Sequence, residues 1–251
     1  MALQFVLVVV DAVFVFLSPT PWWAPLIVFT LATVAEVTLL FFKRLYGEAE
    51  ALLRKLDARK LLGWAITPEE VRDLIKTTPQ KLCKLLQATE EEYFASKQPV
   101  GAKRTIEGIQ ESAWWSKELA GTMAIICAVV TSLLVVASLG LLWVSLNTVQ
   151  GPDAVSSISK LVSSVLTVIF SLGLLNLAID YRKFSVASDK VECLAAEMIK
   201  SKVDDEAQAV KLMNQYHLAR ASAPPVPSWL WRLRNQDLNT LWEQYRASSS
   251  P

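Results

Sequence analysis

The 251-residue chain carries one histidine, His217, and three cysteines, Cys83, Cys127 and Cys193. Nucleophilic and metal-assisted chemistry need several such groups in a defined spacing. No Cys or Ser stands at a motif spacing from His217, which reads as an ordinary surface or core residue. The cysteines lack metal-ligand spacing and read as free thiols in a reducing compartment. There is no Gly-rich phosphate loop, paired-histidine motif or Ser/His/Asp set. The acidic clusters Glu90-Glu91-Glu92 and Asp204-Asp205-Glu206 fit solvated helix turns better than metal or catalytic sites. The expectation is therefore not an enzyme, with no cofactor and no metal.

Two other constellations could carry function. Basic and aromatic residues interleave from Trp64 to Trp115: Arg72, Lys76, Lys81, Lys84, Lys97, Lys103 and Arg104, with Tyr93, Phe94 and Trp114 close by. Such a mixture can hold nucleotide phosphates and stack bases. Arg72, Lys76, Lys103, Arg104 and Trp114 are the ligand-binding candidates, although amphipathic helices next to a membrane have the same composition. The second constellation lies in apolar surroundings. Asp11 and Glu36 are carboxylates that are costly if they face lipid. Ser157, Lys160, Ser164, Thr167 and Ser171 repeat in steps of three and four, and so share one helix face. Asp11, Glu36, Ser164, Thr167 and Ser171 are the pore-lining candidates. The other reading is hydrogen bonding within a bundle for the acids and close helix packing for the small residues, as also for Thr131, Ser138 and Ser145.

The elements that would position these residues follow from hydropathy. The chain is 53% hydrophobic and 20% charged, with a mean hydropathy of +0.34. That excludes an ordinary soluble enzyme, a disordered regulator and a secreted disulfide scaffold. The surplus sits in four runs, at about Leu3–Leu17, Trp23–Phe42, Leu119–Leu146 and Ile158–Ile179. About 20 helical residues cross a bilayer core. The expectation is an all-α integral membrane protein with four transmembrane helices in two hairpins. Its parts are a first hairpin (1–42), a cytoplasmic helical segment (43–118), a second hairpin (119–180) and a cytoplasmic helical tail (181–251). Of 25 Lys and Arg, fourteen lie in 43–118 and ten in 181–251, with Lys160 left over. The positive-inside rule then places both termini in the cytoplasm. The net charge of +1 gives no electrostatic argument for a DNA or RNA polymer.

Within the polar segments, Thr67-Pro68-Glu69-Glu70 and Thr78-Pro79-Gln80-Lys81 open two short helices. A helix from about Thr105 continues into the third run. Phe184, Val191, Leu194 and Met198 predict a buried helix face. Asp204-Asp205-Glu206 starts a helix carrying Val210, Met213 and Tyr216, and Pro224-Pro225-Val226-Pro227 ends it. A last helix, about Trp229–Arg246, presents Trp229, Leu233, Trp242 and Tyr245.

Three stretches resemble a known family: Leu56-Asp57 through Gly63-Trp64, Gln110-Glu111-Ser112-Ala113-Trp114-Trp115-Ser116-Lys117-Glu118-Leu119, and Arg220 through Trp231. Together with the order of hairpins and polar segments, they resemble the four-transmembrane pore-forming effectors associated with bacterial cyclic-oligonucleotide synthases in antiphage signalling (the SMODS-associated four-transmembrane effectors). The resemblance spans most of the chain from about residue 45. It implies a homo-oligomer in the bacterial inner membrane. A partner synthase would make a cyclic oligonucleotide, and the effector would answer by permeabilising the lipid bilayer. The competing expectation is a membrane scaffold or small transporter subunit whose cytoplasmic helices bind a protein.

The charge asymmetry generates a direct test of topology. A single cysteine placed within Asn147–Ser157 should react with an impermeant maleimide on intact cells. Reaction only after permeabilisation would invert the topology.

Overall fold

A computed structural model describes residues 24–65, 67, 69, 72, 96–148 and 173–249. The described residues are all-helical, without strand. α1 runs from Ala24 to Asp57 and passes into a π-helical turn, Ala58–Leu62. α2 is Ala102–Thr148, α3 Leu174–Lys200, α4 Glu206–Ala221 and α5 Ser228–Ser249. The chain divides into two compact units: Met1–Leu45 with Thr122–Asp180, and Tyr46–Gly121 with Tyr181–Pro251.

In the first unit, the described part of α2 is strongly apolar. Among the described residues, one helix is long and apolar enough to cross a membrane, Ala102–Gly140, with a mean hydropathy of 2.5 in its most apolar stretch. Ile125, Val129, Leu133, Val136, Leu139 and Trp143 are exposed. Met123, Cys127, Thr131 and Ser138 are buried, at steps of four, four and seven residues. The Thr131 and Ser138 hydroxyls donate to the Cys127 and Leu134 carbonyls of their own helix, both at 2.7 Å. A hydroxyl satisfied in this way can sit at an apolar contact without an unmet donor. α1 likewise exposes Val34, Val37, Leu40, Phe41 and Phe42.

The fourth apolar run differs from the uninterrupted helix expected over Ile158–Ile179. Gly173 is left-handed, with φ 57°, and α3 starts only at Leu174, where the Leu177 amide donates to the Gly173 carbonyl at 2.8 Å. A left-handed residue interrupts the i to i−4 ladder, and glycine adopts it without a Cβ penalty. The pore-lining candidates Asp11, Ser164, Thr167 and Ser171, and the side chain of Glu36, lie outside the described residues, as does the first expected span.

The second unit has one continuous core. Leu61, Ile106, Ile109, Ala113, Val191, Ala195, Ala209, Leu212, Met213 and Tyr216 meet there. They come from the π turn, the first part of α2, α3 and α4, so the two polar sequence segments fold together. Asp205 caps α4, accepting from the Ala207 amide at 2.9 Å, which satisfies one of the orphan amides of a helix start. On α3 the buried face is Tyr181, Phe184, Ser185, Ser188, Val191, Glu192 and Ala195. Leu194, expected on that face, is 43% exposed. On α5, Leu230, Leu238 and Trp242 are buried, while Trp229 and Leu233 are exposed. Of the two short helices expected over 67–86, only Thr67, Glu69 and Arg72 are described.

Gly63 closes the π turn and ties it to the start of α2. Its φ is 76°, its amide donates to the Arg59 carbonyl at 3.1 Å, and the neighbouring Gly101 amide donates to the Leu61 carbonyl at 2.9 Å. A Cβ on Gly63 would stand 2.8 Å from Cγ1 of Val100. Gly63→Ala should therefore cost about 1–3 kcal/mol. Adding Val100→Ala should recover only part of that, because it removes the clash and leaves the backbone strain. Thermal unfolding in detergent, followed by far-ultraviolet circular dichroism, reads both. Wild-type unfolding by the Gly63→Ala protein would contradict the assignment.

Candidate functional site: an aromatic cleft in the second unit

The second unit contains a cleft of about 640 Å³, within the range of small-molecule sites. Helical periodicity builds its walls. α1 supplies Tyr46, Ala49, Glu50 and Leu53; α2 supplies Glu111, Ser112, Trp115, Ser116 and Leu119; α5 supplies Trp231, Asn235 and Asn239. Each set repeats at three or four residues, one face of one helix. Phe184 of α3, Tyr216 and Arg220 of α4, and the Ala223–Val226 turn close it.

Tyrosine hydroxyls fix this frame. Tyr216 donates to the Ser112 carbonyl at 3.2 Å, so the 2.8 Å contact with Ser116 Oγ is one that Tyr216 accepts. Tyr181 donates to the Pro225 carbonyl at 2.8 Å, and Tyr46 to the Ala223 carbonyl at 3.4 Å. These bonds anchor a proline turn whose own amides are few. Burial, followed by the adjacent Glu50 charge, pushes the Tyr46 hydroxyl up to about 12, so it remains a donor throughout the physiological range.

One charged pair stands in the wall. Arg220 Nε donates to Glu50 Oε1 at 3.1 Å, with the Glu50 side chain 5% exposed and that of Arg220 25%. Glu50 Oε2 is shielded from water and accepts no hydrogen bond. The ionisable lining is Glu50, Glu111 and Arg220, which is not an excess of positive charge.

Next to Arg220, His217 and Asp57 are buried, with Nε2 3.8 Å from Oδ2. That spacing suggests an ion pair, but neither imidazole nitrogen makes a hydrogen bond. Burial, then the Arg220 and Arg54 charges, push His217 down to about 4, so at neutral pH it is uncharged. Burial raises Asp57 to about 6 against the opposing charges of Arg220 and Lys60. At neutral pH the pair is therefore an uncharged imidazole beside a carboxylate, not a salt bridge. A second cluster supports the far side of α2. Lys117 bonds to Glu192 at 2.5 Å and pairs with Asp189 at 3.3 Å. Burial works to lower Lys117, but those carboxylates prevail and raise it.

The sequence-based ligand candidates do not gather at the cleft. Lys103 is half-exposed and pairs with Asp204 at 3.3 Å. Arg104 reaches the Gln98 carbonyl at 3.4 Å. Arg72 is exposed, and Lys76 lies outside the described residues. Trp114 is eleven residues beyond Lys103, about 16 Å along the helix. It is 6% exposed and packs against Trp115, Trp242 and Tyr245 with ring centroids 5.7, 5.2 and 6.5 Å away. Its neighbour Trp115 faces the cleft. Sequence reasoning missed Tyr46, Glu50, Tyr216, Arg220, Trp231, Asn235 and Asn239 as a set. A signal was present: two of the stretches carrying the family resemblance, Gln110–Leu119 and Arg220–Trp231, supply ten or more of the lining residues. The third stretch supplies Asp57 beside His217 and Trp64, whose Nε1 donates to Glu206 at 3.1 Å. Among the described residues, no group of three or more His, Cys, Asp or Glu could hold a metal ion.

Comparison with protein families, curated proteins and solved structures finds no match to this chain.

The two buried titrating groups give opposite stability slopes. His217 falls from 6.5 to about 4 on folding, so the unfolded chain binds the extra proton between those values, and stability rises with pH there. Asp57 rises from 3.8 to about 6, so the folded chain holds the extra proton and stability falls as pH rises through that window. Between pH 4 and 6 they offset. Asp57→Asn should therefore leave stability rising with pH from 4 to 6.5, and His217→Gln should leave it falling from 4 to 6. Denaturant unfolding across pH reads the slopes; equal slopes in both variants would contradict this pairing.

Proposed function

We propose that the protein is an oligomeric membrane effector gated by a cyclic oligonucleotide and acting in antiphage defence at the bacterial inner membrane. The carrying observation is that two of the three residue stretches behind the family resemblance, Gln110–Leu119 and Arg220–Trp231, line one cleft, and that one cleft wall belongs to the apolar helix. α2 offers Glu111, Ser112, Trp115, Ser116 and Leu119 to the cleft, then carries the exposed row Ile125 to Trp143. Backbone groups within a bilayer must be satisfied inside the segment, which a helix achieves.

Gating then follows from differential binding. A ligand shifts an equilibrium only by as much as it prefers one state. Occupancy of the cleft acts on the helix that also supplies apolar surface, so a state with a different α2 position or assembly is favoured. Thr131 and Ser138, at heptad spacing, give α2 a small polar seam for contact between membrane helices or, in the conducting assembly, for a wet path. The four-span arrangement, the two cytoplasmic termini and the pore-lining roles of Asp11, Glu36, Ser164, Thr167 and Ser171 belong to the same proposal.

The test is dye release from liposomes bearing the purified protein, with cyclic di- and trinucleotides added singly. At least one should trigger release and a larger oligomer by native mass measurement. Tight binding of a cytoplasmic protein, with no release by any cyclic oligonucleotide, would replace this reading by the scaffold.

A further inference from the structure

We propose that the cleft holds one neutral, planar nucleobase, stacked between Trp115 and Trp231, with a base N–H donated to the carboxylate of Glu50. This rests on the reading that the ligand is a cyclic oligonucleotide, and it names the part of that ligand which enters the protein.

Glu50 is the starting point. It is 4% exposed and lines the cleft, with one oxygen held by Arg220 and the other without a donor. An acceptor buried without a partner is destabilising, more so when charged. Such a group calls for a physical reason. The terminal torsion of a Glu side chain is soft, so the carboxylate can turn Oε2 toward the cleft while its charge stays beside Arg220.

Charge decides which donor fits. Glu50 is already compensated by Arg220, so a cationic head brought to Oε2 would meet the guanidinium at close range. A phosphate would meet Glu50 and Glu111, with Arg220 already engaged. A neutral N–H suffers neither repulsion. The walls then select a flat partner, because every base has a face that stacks on an aromatic ring. Asn235 and Asn239, on the α5 wall, are amides of the kind that read base edges. The ribose–phosphate ring of the ligand stays toward solvent. This differs from a basic groove that clasps phosphates, and it predicts weak dependence of binding on salt.

Guanosine, 1-methylguanosine, tryptamine and cyclic diguanylate serve as probes on the detergent-solubilised full chain, by calorimetry and saturation-transfer NMR. Guanosine should bind, and 1-methylguanosine, which lacks the ring N–H, should bind more weakly. Glu50→Gln keeps the shape but puts an amide donor where the acceptor was, and should weaken guanosine by about tenfold or more. Trp231→Ala alters a half-exposed residue and should also weaken it, which serves if Glu50→Gln fails to fold. Unchanged guanosine affinity in a folded Glu50→Gln protein, or tighter binding of tryptamine than of guanosine, would overturn the inference. Guanosine binding without dye release by any cyclic oligonucleotide supports the base site and sinks the effector reading. Dye release that is indifferent to Glu50 and Trp231 sinks the base site alone.

Discussion

One helix carries two different surfaces. α2 is 47 residues long, and its first turns bury Ile106, Ile109, Ala113 and Ala120 in a protein core. Beyond Gly121 the same helix exposes branched and aromatic side chains that water would penalise at about 25 cal/mol per Å². A bilayer would remove that penalty, and an unbroken helix satisfies the backbone in either environment. The remaining architecture follows from this division. Polar anchors, the Lys117–Glu192 pair and the Tyr216 hydroxyl, sit on the part before Gly121. Beyond it the buried polar groups Thr131 and Ser138 turn back on their own helix.

The cleft is the consequence of packing helices whose facing side chains do not fill the space between them. Tyr46, Tyr181 and Tyr216 span between elements with their hydroxyls on carbonyls, which holds the walls apart as well as together. The Glu50–Arg220 pair sits where one partner alone would be a buried charge. Behind it burial is the largest influence on both His217, pushed down, and Asp57, pushed up, so the buried chemistry on that side is set by desolvation more than by pairing.

Much of the second unit was legible in the sequence, and the misses have causes. Asp205 announced α4 because an acidic N-cap before an apolar repeat has a local physical origin. Phe184 and Val191 fell on the buried face of α3, but Leu194 did not. The true face runs through Ser188 and Ala195, small residues whose burial lets helices approach and leaves little hydropathic trace. Trp229 and Leu233 look like core residues by type, yet α5 turns Leu230 and Leu238 inward. Sequence-local charge does not mark the cleft. Lys103 and Arg104 stand beside each other in sequence, whereas Glu50 and Arg220, 170 positions apart, meet only in the folded chain. Nothing local marks a residue whose partner lies on another helix.

For α2 to cross a bilayer, its surface beyond Gly121 must face lipid. A nitroxide placed singly at Leu133 and at Thr131 in proteoliposomes measures this by paramagnetic relaxation. Leu133 should collide readily with oxygen and poorly with a water-soluble nickel chelate, while Thr131, buried in the unit, should be shielded from both. Free access of the nickel chelate to Leu133 would place that face in water and contradict the membrane reading of the helix.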